Sequence, residues 1–169
     1  MRGLISIIAG LAMVACAGQA FAQSARKIAE HGDWATYSYQ ATNGRVCYVL
    51  TVPKPKSMQP TNVNHGSIFF FVSQRPGQAV SFEPQFIAGY SLREGSKVSV
   101  SVGDKNFTMF TKDKSAWVEN AAEEPQLIAA MKSGADMKIS ATSGRGTKTS
   151  YTFSLMGITA ALDSIASCK

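Results

Sequence analysis

Chemically reactive side chains are scarce in this sequence. Of its 169 residues only two are histidine and three are cysteine. The histidines, His31 and His65, stand in polar linker stretches with no cluster of carboxylates or thiols beside them. A zinc site takes three or four such ligands, so no metal and no other cofactor is expected. Nucleophilic hydrolysis takes a serine or cysteine with a histidine and an orienting acid. No serine here occupies a GxSxG elbow, and the enzyme alternative that remains is a small hydrolase in which His31 or His65 converges with an acid in a cleft. Long apolar runs are also missing: beyond residue 22 nothing approaches the roughly 20 apolar residues of a membrane span. Acidic residues are outnumbered by basic ones, 11 against 17, for a formal charge of +6. That surplus is modest. It favours encounters with anionic surfaces, and an ordinary solvated surface carries as much.

What is present at the start of the chain is an export pattern. Arg2 is followed by an apolar run from Leu4 to Val14 and by Ala20-Phe21-Ala22, the small-x-small pattern at which signal peptidase cuts. Residues 1–22 are read as a cleaved signal peptide and residues 23–169 as a single domain beginning at Gln23. A rival reading takes Met13-Val14-Ala15-Cys16 as a lipoprotein box with Cys16 bearing lipid, although a leucine is usual where Met13 stands. Either way the chain is exported, to a periplasm or to the outer membrane.

Past the leader, the pattern is mainly β. A polar linker, 23–30, leads into the alternating segment from Trp34 to Tyr39, and then to Arg45–Val52, whose two faces both read as partly buried. Pro53, Pro55 and Pro60 stiffen an extended connection that cannot join a ladder in the usual way. Ile68 to Val72 is apolar without alternation and reads as a strand covered on both sides. Short strands follow at Val80–Phe82, Phe86–Leu92 and Val98–Val102, the last turning at Gly103-Asp104 into Phe107–Phe110. Lys112, Asp113 and Lys114 make the next turn, before Ala116-Trp117-Val118. One internal helix is predicted after Pro125, with Leu127, Ala130 and Met131 at helical spacing and Gly134 as its stop. Met137–Ala141 and Tyr151–Leu155 are the last strands. Many short strands with regular turns suggest an antiparallel β-sandwich, immunoglobulin-like or jelly-roll-like, with one short internal helix and a C-terminal helix.

That last helix carries Ile158, Ala161, Leu162 and Ile165 at i, i+3, i+4 and i+7, one amphipathic face that Cys168 continues. A thiol on a buried face needs a partner, and outside the leader Cys47 is the only other cysteine. In an exported chain this even pair predicts a Cys47–Cys168 disulfide.

Binding sites are harder to read. Gly144-Arg145-Gly146 lacks the GxxxxGK spacing of a phosphate loop and is explained as a turn between strands. Asn106-Phe107-Thr108 has the form of a glycosylation sequon but falls in a strand. Trp34, Trp117 and Phe69–Phe71 are enough aromatics for a groove, though core packing is their commoner use. The cations collect in loops: Lys54 and Lys56 in the proline-rich connection, Lys112 and Lys114 in one turn, Arg145 and Lys148 in another. Loops of a sandwich cluster at its ends. If these three share an end they form a basic rim for anionic envelope components.

Several short motifs occur in order along the chain: GDW at Gly32–Trp34, CY at Cys47-Tyr48, SQRP at Ser73–Pro76, GY at Gly89-Tyr90 and AW at Ala116-Trp117. AAMKSG at Ala129–Gly134, SGRGTKT at Ser143–Thr149 and SLMGITAAL before the last cysteine follow. In these the chain resembles the invasion-associated locus B family of exported proteobacterial proteins. The resemblance implies a periplasmic or outer-membrane-associated β-sandwich without described enzymatic activity, in a family named for a member linked to entry into host cells. Many relatives carry a further cysteine shortly after the tryptophan, where this chain has Tyr37, Ser38 and Tyr39. The expected function is thus a non-enzymatic envelope binding module, with host-cell adhesion or invasion as the alternative. Anionic envelope components or an outer-membrane protein are the expected partners; nucleic acid is not.

Overall fold

A computed structural model describes residues 24–168; the leader, its cleavage site and Cys16 lie outside them. Ten strands form: β1 (Arg26–His31), β2 (Trp34–Ala41), β3 (Gly44–Thr51), β4 (Phe69–Arg75), β5 (Val80–Ile87), β6 (Lys97–Val102), β7 (Lys105–Lys112), β8 (Ser115–Val118), β9 (Asp136–Thr142) and β10 (Lys148–Ser154). Helix α1 (Glu124–Ser133) joins β8 to β9, and α2 (Ile158–Ala166) follows β10. All pairings are antiparallel, in the order β1-β2-β3-β4-β5-β8-β7-β6-β9-β10.

One continuous sheet supplies both layers of the sandwich. Alternation sets which side chains point inward: Phe70 and Val72 from β4, Val98, Val100 and Val102 from β6, and Tyr151 and Phe153 from β10 are all buried. Because the sheet folds over, β10 comes to face β4 and β5. The Phe70 and Phe153 rings lie 6.1 Å apart and Phe86 and Tyr151 5.8 Å apart. Trp34, fully buried, packs edge-on to Phe70 and donates its indole N–H to the Ser154 carbonyl at 3.1 Å. Helix α2 inserts Ile158, Ala161, Leu162 and Ile165 into this core against β1 to β4, and Cys168 just beyond it is bonded to Cys47 of β3 with the Cα atoms 6.0 Å apart.

Glycines let the two ends of the chain touch. Gly32 (φ +57°) in the β1–β2 turn and Gly157 (φ +90°) before α2 bring their backbones into direct contact; a Cβ on Gly157 would overlap the His31 carbonyl. The adjacent Asp33 N–H donates to Met156 O at 3.0 Å. Gly134, by contrast, ends α1 in extended backbone, φ −88°. It is glycine because a Cβ there would press on Val102 and Leu155.

Several expectations are corrected. The polar linker before Trp34 includes β1, an edge strand whose side chains are mostly exposed and so show no hydrophobic period. The stretches 80–82 and 86–92 are not two strands: β5 runs through Pro84, which is tolerated because β8 pairs only with Gln85 to Ile87 and leaves residues 80–84 without a ladder on that side. Residues 88–92 belong instead to a loop. Strand β4 is not covered on both faces, since Phe69 and Phe71 are only half-buried and lie outside with Tyr48, Tyr37 and Tyr39, the Tyr48–Phe71 ring distance being 5.5 Å. The proline-rich connection does meet a ladder. Lys54 N–H bonds Thr152 O at 2.7 Å, and Gln59 and Ser150 exchange bonds of 2.9 and 3.0 Å, so this segment covers the free edge of β10.

Candidate functional site

Four loops meet at one end of the sandwich. The loop 88–93 after β5 is laced between two turns by its backbone: Ala88 N–H bonds Lys114 O and Leu92 N–H bonds Asp113 O, both at 2.8 Å, while Ser91 O accepts from Gly144 N–H at 2.8 Å and Arg93 N–H bonds Thr142 O at 2.9 Å. The fourth loop, before β4, crosses residue 89 in backbone contact. A Cβ on Gly89 would strike the His65 carbonyl, and Gly66 has a φ of +61°. Only glycine fits such a crossing.

Between these loops is a cleft of about 800 Å³ lined by Asn64, His65, Tyr90, Lys114, Arg145 and Thr149, among others. Its floor is a row of polar side chains. His65 Nε2 lies 2.9 Å from Pro60 O and Nδ1 2.9 Å from the Tyr151 hydroxyl. Tyr151 is 2.8 Å from the Tyr90 hydroxyl, which is 2.6 Å from Thr149 Oγ1. A carbonyl only accepts, so Nε2 carries hydrogen, and in the neutral ring Nδ1 accepts from Tyr151. Tyr151 then accepts from Tyr90, and the single hydroxyl hydrogen of Thr149 faces both the Tyr90 oxygen and the Ala141 carbonyl, the latter at 3.3 Å. Every group of the row has a partner inside the protein. Tyr151 is 1% exposed, and burial raises its phenol well above the ordinary range.

His65 is therefore buried, contrary to its reading as an exposed linker residue, because the crossing at Gly89 folds its loop onto β10. His31 sits elsewhere, at the β1–β2 turn against Gly157. Among the described residues no acid is hydrogen-bonded to His65, and both its nitrogens are committed to structural bonds. Among the described residues no group of three or more His, Cys, Asp or Glu side chains is gathered as a metal site.

The six loop cations do not stay together. Lys114 and Arg145 line the cleft, with Lys112 exposed at the start of the same turn as Lys114. Lys54 pairs with Asp136 at 2.5 Å. Its segment binds β10 at Thr152, which is about 16 Å from the β9–β10 turn at ~3.3 Å per residue. Lys56 is exposed nearby. Lys148 lines a separate hollow of about 370 Å³ over β6, β9 and β10. Among the described residues neither Lys114 nor Arg145 makes an ion pair, and no carboxylate lines their cleft.

The floor escaped sequence reasoning, yet a signal was there. In β10 the inward phase is Thr149, Tyr151, Phe153, and two of these three are polar. A polar residue in the buried phase of a strand calls for a partner across the core. Here that partner is a histidine from a loop 86 residues away in sequence, which no local pattern reveals.

A family model described as "Invasion associated locus B (IalB) protein" matches residues 34–166. Among solved structures, the crystal structure of invasion associated protein B from Bartonella henselae superposes with a TM-score of 0.58 at 12% identity, over 85% of this chain and 95% of that one. At that identity the likeness is one of fold. No curated protein matches.

Proposed function

Because the chain belongs to the invasion associated locus B family, we propose that it is an exported, non-enzymatic protein of the cell envelope that works by binding, with the cleft over Tyr90 as its site. Export rests on the leader ending at Ala22 and on a disulfide suited to an oxidising compartment. On this reading the mature chain starts at Gln23 without lipid on Cys16, which its intact mass after export would check. The observation that carries the binding role is the contrast within the cleft: a floor whose hydrogen-bonding groups satisfy one another, beneath a rim whose two cations have no acidic partner among the described residues. An enzyme keeps an acid, base or nucleophile available to substrate; here His65 and Tyr151 spend their capacity on each other. Host entry, the role for which the family is named, is not required by such binding.

The experiment is retention of isolated envelope material by the immobilised mature chain and by a Lys114→Glu/Arg145→Glu double variant. Loss of retention in the variant, at an unchanged melting temperature, is the expected result. Equal retention by both proteins would remove the cleft from the function.

A further inference from the structure

Resting on the cleft reading above and deepening it, we infer that the cleft takes a phosphorylated sugar. Its lining separates into two chemistries. Lys114 and Arg145 bring two positive charges with no carboxylate among the lining residues to offset them, which suits a phosphate dianion better than a singly charged carboxylate. A guanidinium pairs two phosphate oxygens at once, and an ammonium adds a point charge.

Uncharged donors make up much of the remaining wall. Asn64 Oδ1 already accepts from Gly66 N–H at 2.9 Å, and Ser143 Oγ accepts from Thr147 N–H at 3.1 Å. The Asn64 amide N–H and Ser143 O–H hydrogens remain for a ligand. Ser91 and Thr147 add further hydroxyls. An oxygen-rich, acceptor-rich ligand satisfies such donors. The volume, about 800 Å³, lies in the range of small-molecule sites and is far more than a bare phosphate fills. The satisfied floor fixes the shape without offering a group to react, so the ligand is held and left intact.

The test titrates the mature, oxidised chain with glucose 6-phosphate, glucose and inorganic phosphate, followed by NMR of the backbone amides. The same chemistry on a lipid carrier is tested by co-sedimentation with phosphatidylcholine vesicles with and without lipid A. Shifts centred on Tyr90, Lys114 and 143–147 with glucose 6-phosphate are expected. Either Lys114→Gln or Arg145→Gln is expected to weaken binding at least about tenfold, the usual effect of losing a charge-assisted hydrogen bond. Lys54→Gln, in the connection that bonds β10 at Thr152 away from the cleft, leaves it unchanged. Binding confined to lipid A vesicles, and lost in the same two variants, supports the proposal and assigns the lipid-borne source. Glucose binding as tightly as its phosphate, or inorganic phosphate as tightly as the sugar phosphate, overturns it. If no probe binds, the proposal falls, while retention of envelope material through Lys114 and Arg145 would still leave the broader reading standing.

Discussion

At the scale of single residues, Tyr151 concentrates the consequences. Its hydroxyl is shared between His65 and Tyr90, so Tyr151→Phe keeps the ring in the core, leaves the buried His65 Nδ1 without a partner and takes one of two partners from the half-buried Tyr90. A buried group left unpaired costs about 1–3 kcal/mol, and a lower melting temperature by calorimetry is the expected outcome. The raised phenol gives the same residue a pH signature. In the unfolded chain a tyrosine ionises near its ordinary value of 10.0, whereas burial makes the folded protein hold that proton to higher pH. Above that value the folded state binds more protons than the unfolded one, so stability is fully present below it and falls as pH rises through it. Melting temperature should therefore drop between about pH 9 and 11, and less steeply in Tyr151→Phe. A part of the slope persists, because burial also raises Tyr48.

Elements show which parts of this fold a sequence can disclose. Strands β6, β9 and β10 alternate, and the Gly103-Asp104 and Asp113 turns are marked by their residues, so both hairpins are legible. Both helices are legible from their apolar spacing. Strand β1 is not, because an edge strand with solvent on most of its surface has nothing to alternate. Of the candidate site, the sequence yields the cations and the GRG turn, which are local. The His65–Tyr151–Tyr90 row is absent from it, since three separate segments build that row. Contact between elements also gives glycine a meaning that turn propensity misses. Gly157→Ala would place a methyl group on the His31 carbonyl at a φ of +90°, forcing α2 away from the β1–β2 turn. A loss of about 1–3 kcal/mol is expected for strain of this kind, read as an earlier midpoint in urea denaturation.

For the whole molecule, the Cys47–Cys168 bond spans a sequence separation of 121, and chain entropy for a loop of that size gives up to about 5 kcal/mol. Cys168→Ser should melt as far below the oxidised wild type as the reduced wild type does; a smaller loss in the variant would mean that the loop constraint is not what stabilises. The same bond, with the Trp34–Ser154 hydrogen bond and the Gly32–Gly157 crossing, also sets an order in time. A ribosome delivers the chain from its N-terminus, so β1 to β3 appear well before those three partners, which follow about 120 residues later. Until residues 154–168 emerge, Trp34 has no acceptor, Cys47 no thiol to meet, and the inner face of the first hairpin no helix to cover it. Local hairpins can form during synthesis, but closure cannot begin before residues 154–168 have been made. Until then the first hairpin has an uncovered apolar face, and whatever escorts the chain must hold its earliest strands longest.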